Sequence, residues 1–155
     1  MENRQVLDSQ ISASSEHGDK HRAANARLNF QRPDGGWETD GWRSLGWVPK
    51  TRNGSWLQID FRVEAVIIGV LTQARGDVPQ WITSYTLSYG NDAHDFYPYF
   101  ENGTEKIYSA NYDNITIVNQ SISPVIIARY IRIHPKSWHG SVGLRVDFSG
   151  CLKDL

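Results

Sequence analysis

The chain has 155 residues, enough for one domain with a sizeable hydrophobic core. Its formal net charge of -1 excludes the basic footprint of a nucleic-acid binder and any blanket attraction to acidic membranes. Charged residues make up 21% and are interspersed, and no run of about 18 apolar residues occurs, which excludes a low-complexity tail and a spanning helix. Aromatic residues reach 12%, with six Trp and seven Tyr, a supply suited both to packed β cores and to binding surfaces.

Helical periodicity is nearly absent. The stretch from Met1 to Ser14 lacks the basic-then-apolar profile of a secretory signal. From Asn29 to Ser55 there is no strand character, yet the stretch holds Trp37, Trp42 and Trp47; so long a loop in a small domain is functional. Strands are expected over Trp56 to Phe61, Ala65 to Thr72, Trp81 to Tyr89, Ile115 to Ile122, Ala128 to His134 and Gly143 to Phe148. Tyr85, Leu87 and Tyr89 share one face of the third, and Leu144, Val146 and Phe148 one face of the last, the alternation of half-buried antiparallel strands. Gly90-Asn91-Asp92 and Asn102-Gly103 read as tight turns, and Pro79, Pro124 and Pro135 are placed at strand edges. The pattern is all-β, a sandwich or barrel.

Four glycan acceptor sequons begin at Asn53, Asn102, Asn114 and Asn119, which points to passage through a secretory pathway. Cys151 is the single cysteine and stands four residues from the end. In secreted β domains such a cysteine staples to the opposite terminus; here the partner would precede Met1. Residues 1–155 are therefore read as one domain excised from a longer extracellular protein.

At this point the segments line up in order with a known family. Asp8-Ser-Gln-Ile-Ser-Ala-Ser-Ser15, Trp56-Leu-Gln-Ile-Asp-Phe61, Trp81-Ile-Thr-Ser-Tyr85, Ala128-Arg-Tyr-Ile-Arg-Ile-His-Pro135 and Gly143-Leu-Arg-Val-Asp-Phe-Ser-Gly-Cys151 give the chain its resemblance to the discoidin domain, also called the coagulation factor V and VIII C-type domain. The resemblance covers nearly the whole length. It implies a jelly-roll-like barrel of two packed antiparallel sheets, about eight strands, with binding loops projecting from one end. The family's first cysteine is missing, which puts its terminal disulfide in doubt. Because one fold hosts many ligands, the ligand is argued from the loops.

Three loops match the projecting ones. The first carries His17, Asp19, His21 and Arg22; the second Asp40, Trp42, Arg43, Leu45, Trp47, Lys50 and Arg52; the third Arg75, Gly76 and Asp77. Sugar rings stack on Trp while Asp, Arg and His take hydroxyls, so His17, Asp19, His21, Arg22, Asp40, Trp42 and Arg43 point to cell-surface or matrix glycans and to adhesion. Trp42, Leu45 and Trp47 beside Arg43, Lys50 and Arg52 fit the alternative of anionic phospholipid at a membrane surface, but only one loop of the three has that character. The purely structural alternative is that Trp37 and Trp47 plug the barrel and the charged residues are a solvated rim. Arg75-Gly76-Asp77 is a Gly-centred turn of the kind an integrin-like receptor reads when cation and carboxylate point apart; the ordinary alternative is a local pair. No cofactor is expected. A structural calcium site from Asp34, Thr39 and Asp147 is the one metal set with suggestive spacing. The sole cysteine is terminal and no nucleophile–base motif occurs, so an enzyme is not expected, nor is a nucleic-acid partner.

Overall fold

The structure, a computed structural model, describes residues 1, 5–30 and 44–153. Among these, nine strands form: β1 (Ile11–Ala13), β2 (Leu57–Gln73), β3 (Trp81–Gly90), β4 (Tyr97–Pro98), β5 (Phe100–Glu101), β6 (Thr104–Glu105), β7 (Tyr108–Ser109), β8 (Val118–His139) and β9 (Arg145–Leu152). The main sheet runs β1-β2-β8-β3-β4, with β9 on the far half of β2 and β7 on β3; every strand pairing is antiparallel. β5 and β6 make a separate hairpin. Its turn is Asn102-Gly103, both at positive φ (53° and 78°), as a two-residue hairpin loop demands.

Two of the expected strand pairs turn out to be single bent strands. The stretches from Trp56 and from Ala65 join as β2, which turns a corner at Arg62 (φ 66°), where the register shifts between Asp60 and Ala65. Asp60 holds the corner: its Oδ1 accepts from Arg62 N at 2.7 Å and from Arg129 Nε at 2.8 Å. β8 likewise joins the two stretches around Ile122 and Ala128, and absorbs the extra residues in a bulge around Pro124. Pro124 and Pro135 therefore lie inside β8 rather than at strand edges; Pro135 is tolerated because the register slips beside it, between Tyr85 and Ser84. The bends matter for function. Residues just before β2 and just after it line one and the same groove, so the long strand doubles back and returns both its ends to one pole.

The core fills the space between the two halves. In one half Leu57, Ile133 and Leu87 sit side by side across three strands, all at most 1% exposed. In the other, Ile67, Val70, Ile126 and Val146 close the cluster. Each such burial contributes roughly 1.5–3 kcal/mol. Where β8 backs onto β3, Ser88 Oγ lies 2.7 Å from His134 Nε2. Burial first, then the charges of Lys136 and Arg132, pull the His134 imidazole down to about 4 from 6.5. The unfolded chain thus takes a proton near pH 6.5 that the folded chain refuses until about 4. Stability should fall by about 3 kcal/mol as pH drops through that window. Urea denaturation of the parent and of His134→Gln at pH 7.5 and 4.5 checks this; equal slopes for the two proteins would remove His134 as the cause.

Candidate functional site

The loops at the pole of the doubled strands are laced to one another through backbone and buried side chains. Ser15 is the first knot: its carbonyl accepts from Trp47 Nε1 at 2.9 Å, and its Oγ accepts from Lys50 N and Thr51 N. His17 N donates to Val48 O, and Ser44 N to Lys20 O. Asn25, 2% exposed, bridges Lys20 O and Ser44 O through Nδ2. The third loop joins the second where Gly76 N donates to Leu45 O and Leu45 N donates to Asp77 Oδ1. These loops are positioned parts, not loose tethers.

Between them lies a groove of about 480 Å³. Its floor is Val48, Pro49 and the half-buried ring of Trp138; its rim carries His17, His21, Lys50, Arg52, Asn53 and Ser141. The volume is that of a small-molecule site. Arg52 Nε donates to Ser141 Oγ at 3.0 Å across 89 residues of sequence. His17 and His21 meet edge to face with centroids 5.0 Å apart. Burial first, then the charges of Arg75 and His17, hold His21 below its ordinary value against an opposing pull from Asp77.

Of the residues singled out in the sequence, His17, His21, Lys50, Arg52 and Arg75 are brought together here. Asp19 and Arg22 are exposed but off the groove wall, and Leu45 is a half-buried joint between loops. Asp34, Trp37, Thr39, Asp40, Trp42 and Arg43 lie outside the described residues. Two readings are corrected. Trp47 is 0% exposed and its backbone pairs with Leu144, so it plugs the barrel beneath the groove and has no ring to offer a ligand. Arg75 and Asp77 do not point apart: Arg75 Nε and Nη2 reach Asp77 Oδ1 and Oδ2 at 2.8 and 3.2 Å, with side chains only 7% and 8% exposed. Burial pushes the Asp77 carboxyl up, but the Arg75 hydrogen bonds and charge, with the Leu45 N–H, outweigh it and hold the group below the usual carboxylate range. Only Gly76 of that turn is exposed. Gly143 sits behind it, where a Cβ would come within 2.7 Å of Arg75 Cβ, so a side chain there would dislodge the arginine.

Other expectations resolve as follows. Two of the three residues of the expected calcium set, Asp34 and Thr39, lie outside the described residues; Asp147 Oδ1 accepts from Phe148 N at 2.8 Å, and among the described residues no group of three or more His, Cys, Asp or Glu is placed to hold a metal ion. All four sequon asparagines are exposed. Cys151 is exposed near the end of β9, and no helix among the described residues is long and apolar enough to cross a membrane.

Sequence reasoning missed a fourth loop. Residues 111–117, of which 115–117 were expected to begin a strand, form a turn at the same pole: Asn111 N donates to Ile82 O, and Asn111 Nδ2 to Thr72 O and Thr116 O. Asp113 caps it, its Oδ1 accepting from Ile115 N and Thr116 N. Tyr112 and Ile115 are left 70% and 74% exposed. The Asp113-Asn114 pair was the available sign of a turn.

Comparison with known proteins agrees with this architecture. The chain is 32% identical to human coagulation factor VIII over 157 residues, covering 97% of this chain and 6% of that protein. Discoidin II from Dictyostelium discoideum superposes with a TM-score of 0.80 at 28% identity, covering 93% of this chain and 56% of that one. The family 32 carbohydrate-binding module of Clostridium perfringens NanJ, solved in complex with galactose, shares the fold (TM-score 0.55, 19% identity, 91% of each chain). The chain thus spans a small part of factor VIII and about half of the discoidin II chain. With residues 10–148 matching the F5/8 type C domain model, the chain belongs to the F5/8 type C domain family.

Proposed function

We propose that the chain is a non-catalytic, extracellular adhesion module that binds cell-surface or matrix glycans in the groove at its loop pole. The observation that carries this is the pairing of the Trp138 ring with convergent polar groups from four separate segments, the combination that a sugar's apolar face and hydroxyls require. Binding rather than catalysis is the reading: in the groove Ser141 Oγ accepts from Arg52 Nε, and no carboxylate pair lines the groove among the described residues. The four exposed sequons support an extracellular setting.

A second reading, attachment to anionic phospholipid, is favoured by one observation. Tyr112 and Ile115 project from a capped turn at the pole that also bears Lys50 and Arg52, an apolar tip beside cations. A glycan array run beside sedimentation with phosphatidylserine vesicles separates the two. Glycan binding that drops about tenfold in Trp138→Ala, measured well below that variant's melting transition, is the expected result. An empty array together with vesicle binding abolished by a Tyr112→Ser/Ile115→Ser double variant would transfer the function to membranes.

A further inference from the structure

The groove wall carries charge of one sign. Five lining side chains, His17, His21, Lys50, Arg52 and Arg75, hold or can take a positive charge, and none of the described lining residues is Asp or Glu. The whole chain has 16 Lys and Arg against 17 Asp and Glu, so the excess is local and not a reflection of composition. Arg75 is neutralised by Asp77, which leaves Lys50 and Arg52 as standing cations. Both are exposed.

Arg52 is more than a surface charge. Its bond from Nε to Ser141 Oγ fixes the guanidinium between the segment before β2 and the turn after β8. Its two Nη nitrogens make no bond among the described residues. A guanidinium so held presents a flat two-pronged donor, which matches the paired oxygens of a carboxylate or sulfate and not a lone hydroxyl. Lys50 adds a mobile point charge from the same rim, and Trp138 supplies the face on which a ring can lie.

We propose that the groove takes an acidic sugar, its anion gripped by Arg52 and Lys50 and its ring seated on Trp138. This rests on the glycan reading above and narrows it to one ligand chemistry. The anion can be a uronate carboxylate or a sulfate ester, and the experiment has an arm for each.

The test uses three oligosaccharides of one backbone: the uronate form, a sulfated form, and a form with carboxyls reduced and no sulfate. Binding is measured by calorimetry at low and high salt. The acidic forms should bind at least about tenfold more tightly than the neutral one and weaken as salt rises. Arg52→Gln and Lys50→Gln should each cost about tenfold on the acidic ligands and little on the neutral one, and Arg52→Lys should fail to restore the loss. Both positions are exposed, so unchanged melting curves are expected. Equal affinity for acidic and neutral forms overturns the proposal and leaves the glycan reading standing. Failure to bind any of the three, with no glycan bound on an array, overturns the glycan reading itself.

Discussion

Asp77→Ala should destabilise the domain by about 3–5 kcal/mol, the cost of leaving a buried guanidinium without its counter-ion. The substitution strands the Arg75 side chain, 7% exposed, and leaves the Leu45 N–H without its acceptor. It also removes one of the two bonds that join the third loop to the second, leaving Gly76 N to Leu45 O. For a domain of this size the loss is worth on the order of 10 °C in melting temperature. The pH dependence has a definite sign. Because Asp77 titrates lower when folded, its contribution is complete above the ordinary value of 3.8 and disappears as pH falls through the folded value. The stability gap between the parent and Asp77→Asn should therefore be flat from pH 7 to about 5 and close only below about 4. A gap under about 0.5 kcal/mol at neutral pH would mean that the pair carries no structural load. The same geometry bears on receptor recognition. A turn whose cation and carboxylate bind each other has neither to display, so adhesion of integrin-bearing cells should be indifferent to Asp77→Glu.

Trp47→Ala is the other large expected effect, again about 3–5 kcal/mol, because the ring is wholly buried and its removal leaves a cavity in the core. Trp47→Phe separates packing from hydrogen bonding. It keeps most of the apolar volume but leaves Ser15 O without its donor, a loss of about 1–2 kcal/mol. Chemical denaturation of the three proteins gives the order; if the alanine variant were no less stable than the phenylalanine one, the plug assignment would be wrong. Ligand binding should suffer in both, since Ser15 also holds Lys50 and Thr51 at the groove rim.

The strands were legible in the sequence because alternation at Tyr85, Leu87 and Tyr89 or at Ile131 and Ile133 is a local property. What was not legible is continuity. Nothing local says that Phe61 and Ala65 belong to one strand, since the corner at Arg62 is set by Asp60 and by its partner Arg129, 69 residues away. The site divided along the same line. His17, His21, Lys50 and Arg52, which line the groove, were singled out because they are polar residues on recognisable loops. Trp138 stands at the end of a strand, where sequence alone does not separate a packed ring from an open one; it packs partly against the core, and how much of it stays open depends on which loops cover it. Trp47 was misjudged for the converse reason. A tryptophan in a loop looks like a tip until the Leu144 backbone is seen beside it.

The doubled-back strands have a kinetic consequence. The groove's two walls, at Arg52 and Ser141, are joined across 89 residues, and Gln58 meets Arg132 across 74. Such contacts form only after most loop-closure entropy has been surrendered, which places the domain among slow folders, on the scale of milliseconds to seconds. No linear segment can rehearse the site in advance. The groove therefore exists only once the barrel is complete: a nascent chain has the residues but not yet the wall that Arg52 and Ser141 close.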